Sequence, residues 1–259
     1  MKIPLLLASS LFVASSALAT VSETVDKTYP LAADGIVSLE NVNGDIEIIG
    51  WDKNEVHIVA EKRARNDEDL QKISIRFSSS NWDSDGHSTS KLSIKTEIPK
   101  AHFGFLWFGS SNVRGEVRYK LMVPFGAHLE KIDVVNSDIT VRDVRGPVNL
   151  DTVNGRIRAT GLAAAGRFDT VNGSINVSFD SVKNARRIVL DTVNGSCTLR
   201  LPPGAGGHVN ADTVNGRISC DFPIRLDSSG RHSLRGVIGD GETDIVLDSV
   251  NGSLRIEAR

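Results

Sequence analysis

Five aspartates recur at near-regular intervals in the second half of this 259-residue chain, each opening nearly the same pentapeptide. The copies are Asp151-Thr-Val-Asn-Gly155, Asp169-Thr-Val-Asn-Gly173, Asp191-Thr-Val-Asn-Gly195, Asp212-Thr-Val-Asn-Gly216 and Asp248-Ser-Val-Asn-Gly252. A row of carboxylates has two chemistries open to it. Carboxylate oxygens are hard ligands suited to Ca²⁺, and two acids roughly 5 to 9.5 Å apart are what glycoside hydrolysis requires. The pattern favours neither. An active site is a local exception, whereas here the Asp stands in every copy, and the chain lacks both the glycine-rich nonapeptide of calcium-binding β-rolls and an EF-hand loop. The recurrence instead assigns Asp151, Asp169, Asp191, Asp212 and Asp248, with Asn154, Asn172, Asn194, Asn215 and Asn251, to a structural ladder. Stacked carboxylates about 5 Å apart repel by about 1 kcal/mol per neighbouring pair in water. Arg156, Arg158 and Arg217, close by in sequence, are the expected counter-charges, together with backbone N–H groups and Thr hydroxyls. No catalytic residue, cofactor site or metal site is assigned.

Other reactive residues do not assemble into a site on paper. The six histidines are scattered, with no helix to bring two to metal-ligand spacing. No Gly-x-Ser-x-Gly elbow and no phosphate-cradling glycine loop occurs. Cys197 and Cys220 lie three and five places after the Asn of consecutive repeats, so stacking would set them diagonally on one face; two small unbridged core residues are the simpler expectation. Phe103, Phe105, Trp107 and Phe108 crowd one short segment of an aromatic-poor chain. Such a cluster serves either as a contact surface or as a cap over an open end.

The elements that would hold these residues follow from the flanks of the motif. Counted from each Asn, apolar residues fall six and four places before it (Val148 and Leu150, Ile188 and Leu190, Ile245 and Leu247) and three and five places after it (Ile157 and Ala159, Ile175 and Val177, Leu254 and Ile256). Both flanks are therefore period-two strands. Gly, and Asn nearly as readily, accept positive φ, so Asn-Gly predicts a sharp change of direction. Looser copies at Glu40-Asn-Val-Asn-Gly44 and Asp133-Val-Val-Asn-Ser137 carry the repeat almost from end to end. An all-β parallel β-helix or β-solenoid is the expected fold, with equivalent residues stacked about 4.8 Å apart. The alternative is a set of stacked antiparallel hairpins, in which Asn-Gly is a two-residue turn and Thr152 faces Ile157. Strict recurrence of all five residues favours stacked layers, because a hairpin asks only for Asn-Gly.

Upstream, further strands are expected from Ile36 to Val123, with a short helix capped by Asn66 and a polar loop over Ser78 to Ser90. Three stretches result: a signal peptide over 1–19, a β-rich portion over 20–123, and regular repeats over 124–259 continuous with it. The first stretch has a Lys, an apolar run and Ala17-Leu18-Ala19, which predicts export with cleavage after Ala19, into a periplasm or beyond. No later stretch is apolar enough to span a membrane. Charges are nearly balanced, at a formal −2, so no field favours nucleic acid.

The segments Val42-Asn-Gly-Asp-Ile46 with Gly50-Trp51-Asp52, Tyr119-Lys-Leu-Met-Val-Pro124 before Gly126, and the Thr-Val-Asn-Gly series resemble the bacterial putative-adhesin family, a domain of unknown function of the 4097 type. The resemblance covers about Ile36 to Arg259. It implies an exported, repetitive β-helical domain and brings no catalytic residues. The expected role is a non-catalytic cell-envelope scaffold or binding module whose partner is an envelope protein, a glycan or its own copies. A carbohydrate-active enzyme on the same scaffold, and a periplasmic accessory of envelope-stress signalling, are the alternatives.

Overall fold

A computed structural model describes residues 20–84, 87–98 and 115–259. The expected signal segment and the aromatic segment carrying Phe103, Phe105, Trp107 and Phe108 lie outside the described residues. Within them the chain is all-β, with 19 strands joined into one sheet and a single short helix.

The chain opens with β1 (Val21–Pro30), β2 (Ile36–Glu40), β3 (Ile46–Trp51) and β4 (Glu55–Ala64). In β3 and β4 every second residue is buried, as period-two alternation requires of strands with one face on a core. Helix α1 (Asp67–Lys72) follows; the Asn66 side chain accepts from the Asp69 N–H at 2.8 Å, acidic residues fill the first turn, and Leu70 anchors it. Next come β5 (Ser74–Ser84) and β6 (His87–Glu97), an antiparallel pair where polarity had suggested a loop. Ladder hydrogen bonds need no apolar side chains, and buried Leu92 and Ile94 of β6 hold the pair to the core. After β7 (Gly115–Pro124) the regular part begins with β8 (His128–Val134), β9 (Ile139–Arg142), β10 (Val148–Asn154), β11 (Ile157–Asn172), β12 (Ile175–Asn194) and β13 (Cys197–Leu201). It ends with β14 (Gly207–Asn215), β15 (Ile218–Cys220), β16 (Ile224–Ser229), β17 (Ser233–Ile238), β18 (Thr243–Asn251) and β19 (Leu254–Ala258).

Equivalent residues of the copies pair in parallel and in register. Before the Asn, Glu40 pairs with Asp133, Asp133 with Asp151, Asp151 with Asp169, Asp169 with Asp191, Asp191 with Asp248, and Asp248 with Asp212. After it, Ile46, Ile139, Ile157, Ile175, Cys197, Leu254 and Ile218 form the matching column. Thr152 pairs with Thr170 and Ile157 with Ile175, so the two flanks of a motif do not face each other as in the hairpin alternative. Inward columns of Val, Ile and Leu make one continuous core on both sides of Pro124.

The layers are not in chain order. The Asp248 copy lies between the Asp191 and Asp212 copies, because β18 pairs with β12 on one side and β14 on the other. Asn215 and Asn251 are 36 residues apart, against 18 for Asn154 and Asn172. The extra length forms β16 and β17, and the antiparallel β17 covers the outer edge of β14. The other end is finished by the antiparallel strands β4 and β1 alongside β7. A register shift between Leu226 and Ser228 kinks the outermost strand β16, which blunts that edge against further pairing. The inserted layer also parts the cysteines: Cys197 pairs with Leu254 and Cys220 with Ile256, on opposite sides of β19, and both thiols are free. Their expected diagonal approach fails because chain-consecutive copies are not neighbours there.

Candidate functional site

Each motif divides between a buried corner and an exposed face. At the corner the Thr or Ser two places before the Asn is buried, and its hydroxyl donates to a carbonyl of the next layer. Thr170 donates to Gly155 and Thr192 to Gly173 at 3.1 Å, while Ser249 donates to Gly195 and Thr213 to Gly252 at 3.0 Å. The Asn side chains form one column in which each Nδ2 donates to the Oδ1 of its neighbour at 2.8 or 2.9 Å, in the order Asn215, Asn251, Asn194, Asn172, Asn154, Asn136, Asn43. All six bonds run the same way, so the amide dipoles align.

The glycine at this corner is not there for positive φ, which among the motif glycines only Gly44 adopts, at 106°. It is there for close approach. A Cβ on Gly173 would sit 1.8 Å from the Gly155 carbonyl oxygen, and one on Gly252 1.7 Å from that of Gly195. Ser137, the copy that carries a Cβ, has as its neighbour the differently turned Gly44 corner. Buried Asn41 stands where later copies have Thr and donates to the carbonyls of Asn43, Gly44 and Val117.

On the outward face, the residue three places before the Asn gives a column of seven carboxylates: Glu40, Asp133, Asp151, Asp169, Asp191, Asp248 and Asp212. Partial burial, then repulsion from Asp133, raises the Asp151 pKa; burial, then Asp191 and Asp212, raises that of Asp248. Asp169 is also raised, chiefly by burial and against the pull of Arg167, with Asp151 and Asp191 adding to the rise. Glu40 is held below the usual range by hydrogen bonds from Lys131 and Lys95. The counter-charges differ from the expected arginines. Arg156 pairs with Asp138 at 2.8 Å, outside the column; Arg167 serves Asp169 at 2.7 Å, Lys131 serves Asp133 at 3.4 Å, and Arg235 serves Asp212 at 3.3 Å. Among the described residues no Lys or Arg forms an ion pair with Asp151, Asp191 or Asp248. Nor does any group of three or more His, Cys, Asp or Glu side chains there stand close enough to hold a metal ion.

Beside the carboxylates runs an apolar column that the sequence reading left unassigned. Val135, Val153, Val171, Val193, Val250 and Val214, one place before the Asn, are 36–61 % exposed. The signal was available: positions six, four and two before the Asn point inward, so five, three and one must point out. At the Asp191, Asp248 and Asp212 layers the two columns border a shallow depression of about 240 Å³ that includes Val214 and Val250.

No family model matches the chain, and no curated protein sequence matches it. Solved structures of similar outline include a putative cell adhesion protein from Clostridium sporogenes, 12% identical with a TM-score of 0.44, the match covering 92% of this chain and 100% of that one. A putative adhesin from Bacteroides fragilis is 10% identical with a TM-score of 0.34, covering 91% and 97%. A putative lipid binding protein from Parabacteroides distasonis is 10% identical with a TM-score of 0.32, again covering 91% and 97%.

Proposed function

We propose that this chain is a non-catalytic, exported cell-envelope protein of adhesin-like type, whose repeats are turns of a parallel β-solenoid and whose Asp–Val face is its contact surface. In-register parallel pairing of equivalent residues supports the solenoid. One observation carries the functional reading: valines stay exposed in layer after layer along a face that the core does not need. Isolated exposed apolar residues are ordinary, whereas a contiguous apolar column rimmed by charge marks an interaction surface. The rigid stack fixes that column in space, so binding orders few groups and loses little entropy.

Co-sedimentation of the purified mature protein with bacterial envelope preparations tests this. The triple substitution Val171→Ser, Val193→Ser, Val250→Ser should lower the bound fraction while circular dichroism stays unchanged. Equal binding by a folded triple variant would overturn the assignment of this face. Alanine at one Asp at a time addresses the enzymatic alternative, which requires turnover to vanish at one or two positions only. Amino-terminal sequencing of the exported protein checks processing after Ala19.

A further inference from the structure

We infer that the Asp–Val face receives a basic amphipathic helix laid along the stack, its apolar stripe on the valines and its Lys or Arg side chains on the carboxylates. The inference rests on the contact surface proposed above and names what occupies it. Charge comes first. Asp191 and Asp248 occupy adjacent layers without an ion-pair partner among the described residues, and each has an exposed valine two places further along its strand, Val193 for one and Val250 for the other. A cation arriving beside a valine would relieve the repulsion along the column while apolar surface is buried next to it. A second copy of this chain would instead bring its own carboxylates to the face, which disfavours self-docking.

Period selects the helix. Seven layers span six spacings of about 4.8 Å, roughly 29 Å in all. An α-helix rises about 5.4 Å per turn, so side chains recurring once per turn stay within one layer of register over about 20 residues. An extended strand laid along the column repeats on one face every ~6.7 Å and is out of step within two layers. Helices of this kind are read through i, i+4 and i+7 anchors, which is the spacing the valine column offers.

The test uses the mature protein and a labelled 20-residue peptide with Leu at helical spacing flanked by Lys, followed by fluorescence anisotropy. Two control peptides replace Lys by Glu, or rearrange the same residues into Lys-Leu alternation that favours a strand. The basic helix should bind, and bind more weakly as salt is raised; both controls should bind at least about tenfold more weakly. Asp191→Asn with Asp248→Asn should weaken binding by about fivefold, Val193→Ser with Val250→Ser by a similar factor, and outward Arg158→Gln on the other flank should change nothing. Equal affinity for the basic and acidic helices, or indifference to both paired substitutions, overturns the inference. So does a dimer in sedimentation that the valine pair dissolves, since the occupant is then a second copy. If the valine substitutions abolish envelope co-sedimentation while the basic helix fails to bind, only the occupant is wrong. If neither assay responds, the contact surface falls with it.

Discussion

The inner corner and the outer face of the motif are built from the same five residues, yet their energetics run in opposite directions. At the corner every recurrence adds a bond: the Thr hydroxyl meets a glycine carbonyl, one Asn amide meets the next, and the missing Cβ lets the layers close. On the face each further copy adds a like charge to a column whose members already repel, and leaves another valine in water. Recurrence at the corner is explained by stability. On the face stability does not explain it, and that difference is what the proposed contact surface rests on.

The contrast can be broken most severely at the glycines. Gly173→Ala forces a Cβ to 1.8 Å from a backbone oxygen, and should cost about 3 kcal/mol or more because packed layers cannot part locally. Chemical denaturation followed by circular dichroism reads this, and a cost below about 1 kcal/mol would mean the layers part easily. Thr192→Val keeps the shape but removes the donor to the partly buried Gly173 carbonyl; a loss of about 1 to 2 kcal/mol is expected in the same measurement. Asn172→Ala removes two amide bonds in mid-column, whereas Asn215→Ala removes one at its end. The first should therefore cost more, by about 0.5 to 1 kcal/mol.

The smallest effect has the opposite sign. Folding raises the pKa values of Asp151, Asp169 and Asp248, so the folded state holds these protons more tightly than the unfolded chain. Their contribution to stability therefore improves as pH falls from neutral through the raised values toward those of the unfolded chain. Glu40 works the other way, its contribution being present above the unfolded value and lost as pH falls through its depressed one. Asp248→Asn should thus stabilise the protein slightly at pH 7, by less than about 1 kcal/mol, with the gain shrinking toward pH ~4. Thermal melts of both proteins across that range check it, and a loss of stability at pH 7 would show that the carboxylate has a partner.

Much of the fold was legible because burial alternates along strands and the alternation breaks at Asn-Gly. Val148, Leu150, Ile157 and Ala159 could be placed in the core from spacing alone, and they lie there. The cap of α1 was legible from Asn66 and the acids after it. The hairpin of β5 and β6 was not, since a polar strand and a polar loop share a composition and only a cross-strand partner tells them apart. The reason for the glycines was misread for a related cause: positive φ is a local property, while the carbonyl that crowds them belongs to another layer. The valine column needed only a parity count carried one position further, whereas the counter-charges of the carboxylate column needed the structure, because Arg235 reaches Asp212 from a different strand.

The amino-acid sequence alone determined the unit: which side chains point inward, where the strand turns, and that like residues recur often enough to form columns, all consequences of the two-residue period and of glycine's missing side chain. The tertiary structure decided the order of the columns. It put the Asp248 copy between Asp191 and Asp212 and set β19 between the two cysteines. Near-identical repeats offer near-identical edges, so local preference cannot rank one neighbour over another; only the length of the intervening chain and the closing of the final edge by β17 select among them.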